Sequence, residues 1–310
     1  MSKIRSFLAD DDLSPAEQAE VLALAAKLKA DPYGHKPLAG PVSVAAIYDK
    51  PTLRTQSSFG AGIAELGGFP LQVDGKLAGI GVRESVPDVA RVIGRQAGMI
   101  VWRTFEQSKI EELAAFAGVP VVNALTDEYH PCQLLADLLT VQEHKGRLAG
   151  LTAAFVGDAA CNMGNSWALA GVTAGMKIKF GAPHGYTPDR AVLDRAAKIG
   201  ETTGGSVDVD HDPVQAVADA DVVITDTWVS MGKEDEAAAR TAIFAPYSVT
   251  AELMATAKPD AILLHCLPAY RGKEVAAEVL DGPQSVIWDE AENRRHAQKA
   301  ILTWLYQQPR

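Results

Sequence analysis

The stretch DKPTLRTQSSF, Asp49 to Phe59, sets Thr52 and Thr55 around Arg54, between the apolar run VSVAAIY and a helical pattern. A strand that ends in a loop opening a helix presents free backbone N–H groups and the positive end of the helix dipole. An anion is its natural guest. Arg54 adds a planar fork of donors suited to phosphate or carboxylate, and the threonine hydroxyls can fill the remaining lone pairs. Capping of a Thr-rich helix start beside a solvated arginine accounts for the same residues, so the stretch alone leaves both readings open. Polar clusters recur after other apolar runs: Arg103-Thr104 after MIVW, TDEYHPCQ after PVVNAL, DAACNMGNS after TAAFVG, DTWVSMG after DVVIT, HCLPAYRG after AILL and DEAENRRHAQKA after SVIW.

The apolar runs VSVAAIY, MIVW, PVVNAL, TAAFVGD, KIKFGAP, DVVITD, AILLHCLP and SVIWDE alternate with longer helical patterns. That alternation predicts βα units in mostly parallel sheets buried on both faces. In open sheets of this kind ligands bind beyond the carboxyl ends of the strands, where the polar clusters fall. The first helix is marked by a capping-box pair, Ser14 and Glu17, by Pro15 at its first position, and by Val21, Leu24, Ala25 and Leu28 at helical spacing. With 310 residues, two cores are expected. The fold class predicted is α/β with two domains, each a mostly parallel sheet flanked by helices. A helix from Gln133 to about His144, followed by the turn KGRLAG, sets the boundary: residues 1–132 form the first domain and 133–290 the second. The last helix, from about Glu290 to Tyr306, returns to the first domain, which residues 291–310 complete.

A hydrophobic content of 47% and a charged content of 22% are those of a soluble globular chain. The net charge of -10 and pI near 5.2 argue against nucleic acid or an anionic membrane as partner, so an anionic substrate must be drawn by local arginines. Cys132, Cys161 and Cys266 are far apart and form no C-x-x-C pair, which fits a reducing cytoplasm better than a disulfide framework. No run of about 18 apolar residues occurs, and the first residues carry acids where an export signal carries apolar ones. There is no Walker A pattern, GIGV at Gly79–Val82 lacks the rest of a dinucleotide fingerprint, and no G-x-S-x-G elbow is present. The histidines and acids fall at no zinc-ligand spacing, so neither a metal nor a cofactor is called for.

Four motifs in one order, HPCQLLADLLT, DTWVSMGKE, HCLPAYRG and WDEAENRRHAQKA, resemble the ornithine branch of the carbamoyltransferase family along nearly the whole chain. The resemblance implies a first domain that binds carbamoyl phosphate, a second that binds the amino acid, closure of the two over the substrates, and a homotrimer with sites shared between subunits. It implies that Thr52, Leu53 through its backbone, Arg54, Thr55 and Arg103 hold the phosphate, and that His130, Gln133 and Arg294 address the carbamoyl group. Asn162, Asp226, Ser230 and Met231 are then expected to bind the amino-acid end of ornithine, with Cys266 and the backbone of Leu267 facing its side-chain amine. Arg54, His130, Cys266 and Arg294 are the catalytic candidates, and citrulline, an intermediate of arginine biosynthesis, is the product. A lysine-like amine has a pKa near 10.4, so presenting it neutral at pH 7 costs roughly 4 to 5 kcal/mol, which desolvation reduces. Negative charge then builds on the carbonyl oxygen, and the departing phosphate is the expected final proton acceptor.

Four positions depart from the family pattern. Its phosphate motif usually reads Ser-Thr-Arg-Thr-Arg, and here Leu53 replaces a hydroxyl and Gln56 a charge. A lost hydrogen bond to a charged group costs roughly 1.5 to 3 kcal/mol. The Glu that usually accompanies the second Arg is also missing near Gly60, and losing both partners of an ion pair is milder than losing one. Gly60 and Gly62 are each expected to cost their helix about 1 kcal/mol relative to Ala. Gly79 stands where the family's inter-subunit loop offers a Gln. Two alternatives stay open on these grounds: a carbamoyltransferase of specialised metabolism acting on another diamino acid or amine, and a low-activity or non-catalytic relative.

Overall fold

A computed structural model describes residues 4–229 and 234–309. Contacts divide the chain into two units, Met1–Leu139 with Glu292–Arg310, and Thr140–Ala291.

The first unit runs α1 (Pro15–Ala30), β1 (Ser43–Tyr48), α2 (Arg54–Glu65), β2 (Phe69–Asp74), α3 (Gly75–Ala78), α4 (Val86–Gln96), β3 (Met99–Arg103), α5 (Gln107–Ala117), β4 (Val121–Leu125) and α6 (Pro131–Lys145), whose end enters the second unit. The capping box opens α1 as expected: Ser14 Oγ accepts from Glu17 N–H at 3.3 Å and Glu17 Oε2 accepts from Ser14 N–H at 2.9 Å. The sheet is parallel, in the order β2-β1-β3-β4. Ala45, Ile47, Ile100 and Trp102 pack on one face against Ala90, Ile110 and Leu113. Strand order reverses at β1 and β3, and such a switch point opens a crevice at the strands' carboxyl ends. Thr52 to Thr55 follow β1, and Arg103 ends β3 in register with Tyr48.

The second unit runs β5 (Thr152–Val156), α7 (Asn162–Thr173), β6 (Lys177–Gly181), α8 (Arg190–Thr203), β7 (Ser206–Asp210), α9 (Pro213–Val217), β8 (Val222–Thr225), α10 (Ala237–Phe244), α11 (Ala251–Met254), β9 (Ile262–Leu264), α12 (Ala277–Leu280) and the start of α13 (Ile287–Tyr306). Its parallel sheet has the order β7-β6-β5-β8-β9, with the switch between β5 and β8. Asn162 opens the helix after β5 and Asp226 directly follows β8, again at the switch. Ala154, Val156, Val223 and Leu263 form its core with Val249, Leu253 and Val279.

Three local expectations are corrected. SVIWDE is not a strand. Ser285 makes a single bridge to Leu263, and from Ile287 the chain is helical, with Asp289 and Glu290 complementing the positive end of α13. Two strands gave no apolar run, β2 and β7, and both are sheet edges. An edge tolerates Pro70 in β2 and leaves much of β7 exposed, so neither has to be apolar throughout. Gly62 is also more than a weak helix former. A Cβ there would lie 3.1 Å from Lys299 Cγ, so its small size admits α13, whose buried Lys299 Nζ donates to Glu65 Oε2 and to the Pro32 carbonyl, each at 2.8 Å.

Candidate active site

In the first unit several residues expected to hold an anion meet through long side chains from separate elements. Thr55, buried in the first turn of α2, accepts from Arg103 Nη1 at 3.2 Å and from Arg294 Nη2 at 2.8 Å. Arg294, on α13, donates through Nη1 to Gln133 Oε1 at 2.8 Å, and Gln133 Nε2 donates to Asp137 Oδ1 at 2.8 Å. The structure thus brings together Thr55, Arg103, Gln133 and Arg294. A hydroxyl that accepts twice keeps its own proton to donate. Thr52 Oγ1 accepts from Thr55 N–H at 3.4 Å, a long contact that closes the turn, and half-buried Arg54 is the first residue of α2. Leu53 stands apart, its side chain 79% exposed, so it can offer the site only its backbone.

His130 is buried immediately before α6. Burial, then the charges of Arg294, Arg103, Lys50 and Arg54, hold its pKa well below the usual histidine range, so it is neutral at pH 7. The same environment contains a cation absent from the sequence reading. Lys50 is buried, paired with Asp127 and placed 4.4 Å from the centre of the Phe105 ring; burial lowers its pKa against the pull of Asp127. Its position directly after Asp49, at the end of the first apolar run, was the available signal.

In the second unit the residues expected to meet the acceptor fall on two loops, after β8 and after β9. Asp226 Oδ1 accepts from Thr227 N–H at 2.7 Å and from Cys266 Sγ at 3.4 Å. Loss of water raises the Asp226 pKa, opposed by His265, the Thr227 N–H and the Cys266 thiol. Leu267 adopts φ 61°, a left-handed conformation rare for a residue with a branched side chain, and its N–H donates to His265 Nδ1 at 2.9 Å. His265 Nε2 lies 3.3 Å from Glu274 Oε1, and the His265 N–H donates to Glu290 Oε2 at 2.8 Å. Asp226, His265 and Cys266 offer ligand atoms within 4.8 Å of one another. Both imidazole nitrogens are engaged, one by the Leu267 N–H and one by Glu274, so the group serves to shape these loops and is a poor metal ligand set. Half-buried Asn162 is the first residue of α7, which follows β5, the strand next to β8. Ser230 and Met231 lie outside the described residues. Just before them, Arg240 Nε donates to the Trp228 carbonyl at 2.5 Å while its guanidinium pairs with buried Asp158. That tie, missed in the sequence, links the loops after β5 and β8.

A family model described as Aspartate/ornithine carbamoyltransferase, carbamoyl-P binding domain matches residues 5–143, and its Asp/Orn binding domain counterpart matches residues 149–305. The chain belongs to the aspartate/ornithine carbamoyltransferase family. It is 60% identical over 304 residues to an ornithine carbamoyltransferase of Clavibacter sepedonicus, covering 98% of this chain and 99% of that one. The solved ornithine carbamoyltransferase of Pyrococcus furiosus is 41% identical, with a TM-score of 0.93 over 96% of each chain. That of Gloeobacter violaceus is 42% identical, with a TM-score of 0.88 over 97% of this chain and 98% of that one. Against the family pattern, Gly79 has a local reason: it ends α3 at φ 65°, ψ 39°, a left-handed cap that glycine adopts without strain.

Proposed function

We propose that this carbamoyltransferase-family enzyme moves the carbamoyl group of carbamoyl phosphate to the side-chain amine of ornithine, giving citrulline and phosphate. The observation that carries the reading is the convergence of Arg103 and Arg294 on Thr55, with neutral His130 beside them: a cluster of donors at a helix mouth, suited to an anionic acyl phosphate. The names of relatives up to 60% identical support it over the two alternatives.

In this reading Thr52, the Leu53 N–H, Arg54, Thr55 and Arg103 hold the phosphate, while His130, Gln133 and Arg294 address the carbamoyl group. Asn162, Asp226, Ser230 and Met231 hold the amino-acid end of ornithine, and Cys266 with the Leu267 backbone faces the reacting amine. The amine, having lost one proton, attacks the carbonyl carbon. A C–N bond forms, the C–O bond to phosphate breaks, and phosphate takes up the proton. Donors from Arg54, Thr55, His130 and Arg294 stabilise the oxygen on which charge builds. Because His130 is neutral, it has one N–H to donate toward that oxygen.

We extend the reading to a homotrimer. Phe69 on the edge strand β2 is 52% exposed, Leu77 82% and Val82 90%, exposed apolar side chains in the first unit that a neighbouring copy would cover. The thiols of Cys132, Cys161 and Cys266 fit a reducing cytoplasm, and a place in arginine biosynthesis follows from the product. No described helix is long and apolar enough to cross a membrane. The test supplies carbamoyl phosphate with a panel of amines and follows phosphate release and ureido product. Citrulline formed fastest is the expected result, and a faster product from another diamino acid would replace ornithine as the acceptor.

A further inference from the structure

We propose that Asp137 is a positioning residue that makes Gln133 a hydrogen-bond acceptor toward the transferred group, so that the site selects a carbamoyl over an acetyl group. The inference rests on the carbamoyl-transfer reading and deepens it. Asp137 and Gln133 lie one turn apart on α6, each 1% exposed. Gln133 Nε2 donates to Asp137 Oδ1 at 2.8 Å, and Gln133 Oε1 accepts from Arg294 Nη1 at 2.8 Å. A carboxylate only accepts and a guanidinium only donates, so the neighbours fix which end of the amide is which.

Turning the amide over sets its oxygen against the Asp137 carboxylate and its NH2 against the guanidinium, like facing like. Arg294 reinforces the observed orientation, but it also donates to Thr55 at 2.8 Å, and in the carbamoyl-transfer reading it gives a donor to the substrate carbonyl. A carboxylate has no donor to turn toward a flipped amide. It therefore keeps the amide oriented even when Arg294 is drawn elsewhere.

The consequence lies in what the site can distinguish. Carbamoyl and acetyl phosphate differ by NH2 against CH3, groups of nearly equal size, and share the same carbonyl oxygen and phosphate. Thr55, His130 and the arginines, acting as donors, read only what the two have in common. An acceptor is needed to read the NH2, and the Gln133 carbonyl oxygen, held outward from Asp137, supplies one.

The experiment measures dissociation constants for carbamoyl phosphate, acetyl phosphate and inorganic phosphate, by competition, in the wild-type chain, Asp137→Asn and Gln133→Leu. Wild type should prefer carbamoyl over acetyl phosphate by at least about tenfold. Asn offers either a donor or an acceptor, so in Asp137→Asn the preference should fall to within about threefold while inorganic phosphate binds nearly as before. Gln133→Leu should lose the preference outright, and adding Asp137→Asn to it should change the ratio no further. If Asp137 only supported the fold, all three ligands would weaken together. An unchanged ratio in Asp137→Asn with a wild-type unfolding midpoint overturns the inference alone; a wild type that binds neither acyl phosphate overturns the carbamoyl-transfer reading with it.

Discussion

In the first unit Thr55, Arg103, Gln133 and Arg294 come from four distant places in the chain and meet through flexible side chains. In the second, Asp226 and Leu267 are held mainly by near neighbours in sequence, the Thr227 N–H and His265, with one longer link from the Cys266 thiol to Asp226. The two constructions fail differently. Where several long donors share one hydroxyl, losing a peripheral group leaves the rest in place, whereas a turn fixed by a left-handed Leu267 has little slack. Leu53, Gln56, Gly60 and Gly79, the departures from the family pattern, all fall in the first unit.

The largest expected effect tests the centre of the first network. Arg294→Ala removes donors to both Thr55 and Gln133, and kcat should fall about 10² to 10³, or about 2.7 to 4 kcal/mol. A loss under tenfold in steady-state assays would mean the network tolerates even its hub. Next comes the acceptor side. Asp226→Asn should raise the ornithine KM about ten- to a hundredfold, equivalent to about 1.5 to 3 kcal/mol, with the carbamoyl phosphate KM unchanged. Burial raises the Asp226 pKa, so the folded state disfavours its charge, and the neutral variant should unfold at an equal or higher temperature. Equal rises in both KM values would break the assignment of that loop to the acceptor.

Gly79→Gln looks like a repair of the family motif and should act as a lesion. A Cβ at Gly79 would sit 3.2 Å from Arg83 Cβ on a backbone at φ 65°, and a non-glycine residue there costs about 1 to 2 kcal/mol. Gly79→Asn, tolerated in this conformation, should cost less in denaturant melts. A pH experiment then separates the units. The folded pKa of His130 is depressed, so its stability contribution is complete above the unfolded pKa of 6.5 and is lost as pH falls below that toward the folded value. Between about pH 6.5 and 5, wild type should lose up to about 1.4 kcal/mol per pH unit from this group, and His130→Gln should not.

The comparison also explains what the sequence disclosed. Interior strands such as β1 and β3 must be apolar on both faces and stood out as VSVAAIY and MIVW, whereas β2 and β7 are edges with solvent on one side and lacked that signature. The apolar start of SVIWDE suggested a strand because an apolar run too short to show a period suits either element. The turn motifs were readable since their parts are adjacent, as in HCLP. The links through Asp137, Lys50 and Arg240 were not, because a buried polar residue announces its partner only when folding brings the two together, although the Gln133–Asp137 spacing of four was a visible hint.

The smallest effect expected is also the sharpest test of tolerance in the first unit. Leu53→Thr restores the hydroxyl that the family motif carries, and if each phosphate donor counted equally the gain would be tenfold or more. Leu53 is 79% exposed, however, so a hydroxyl there keeps its hydrogen bonds to water and exchanges them for one to phosphate at little net gain. Thr55, Arg103 and Arg294 already form a buried, mutually bonded group of donors. Carbamoyl phosphate should therefore bind only about two- to threefold more tightly in the variant, near 0.5 kcal/mol. Calorimetric titration with carbamoyl phosphate resolves that difference. A gain of tenfold or more would show that position 53 turns inward when phosphate arrives, and that the first unit, like the second, depends on a local turn more than on its distant arginines.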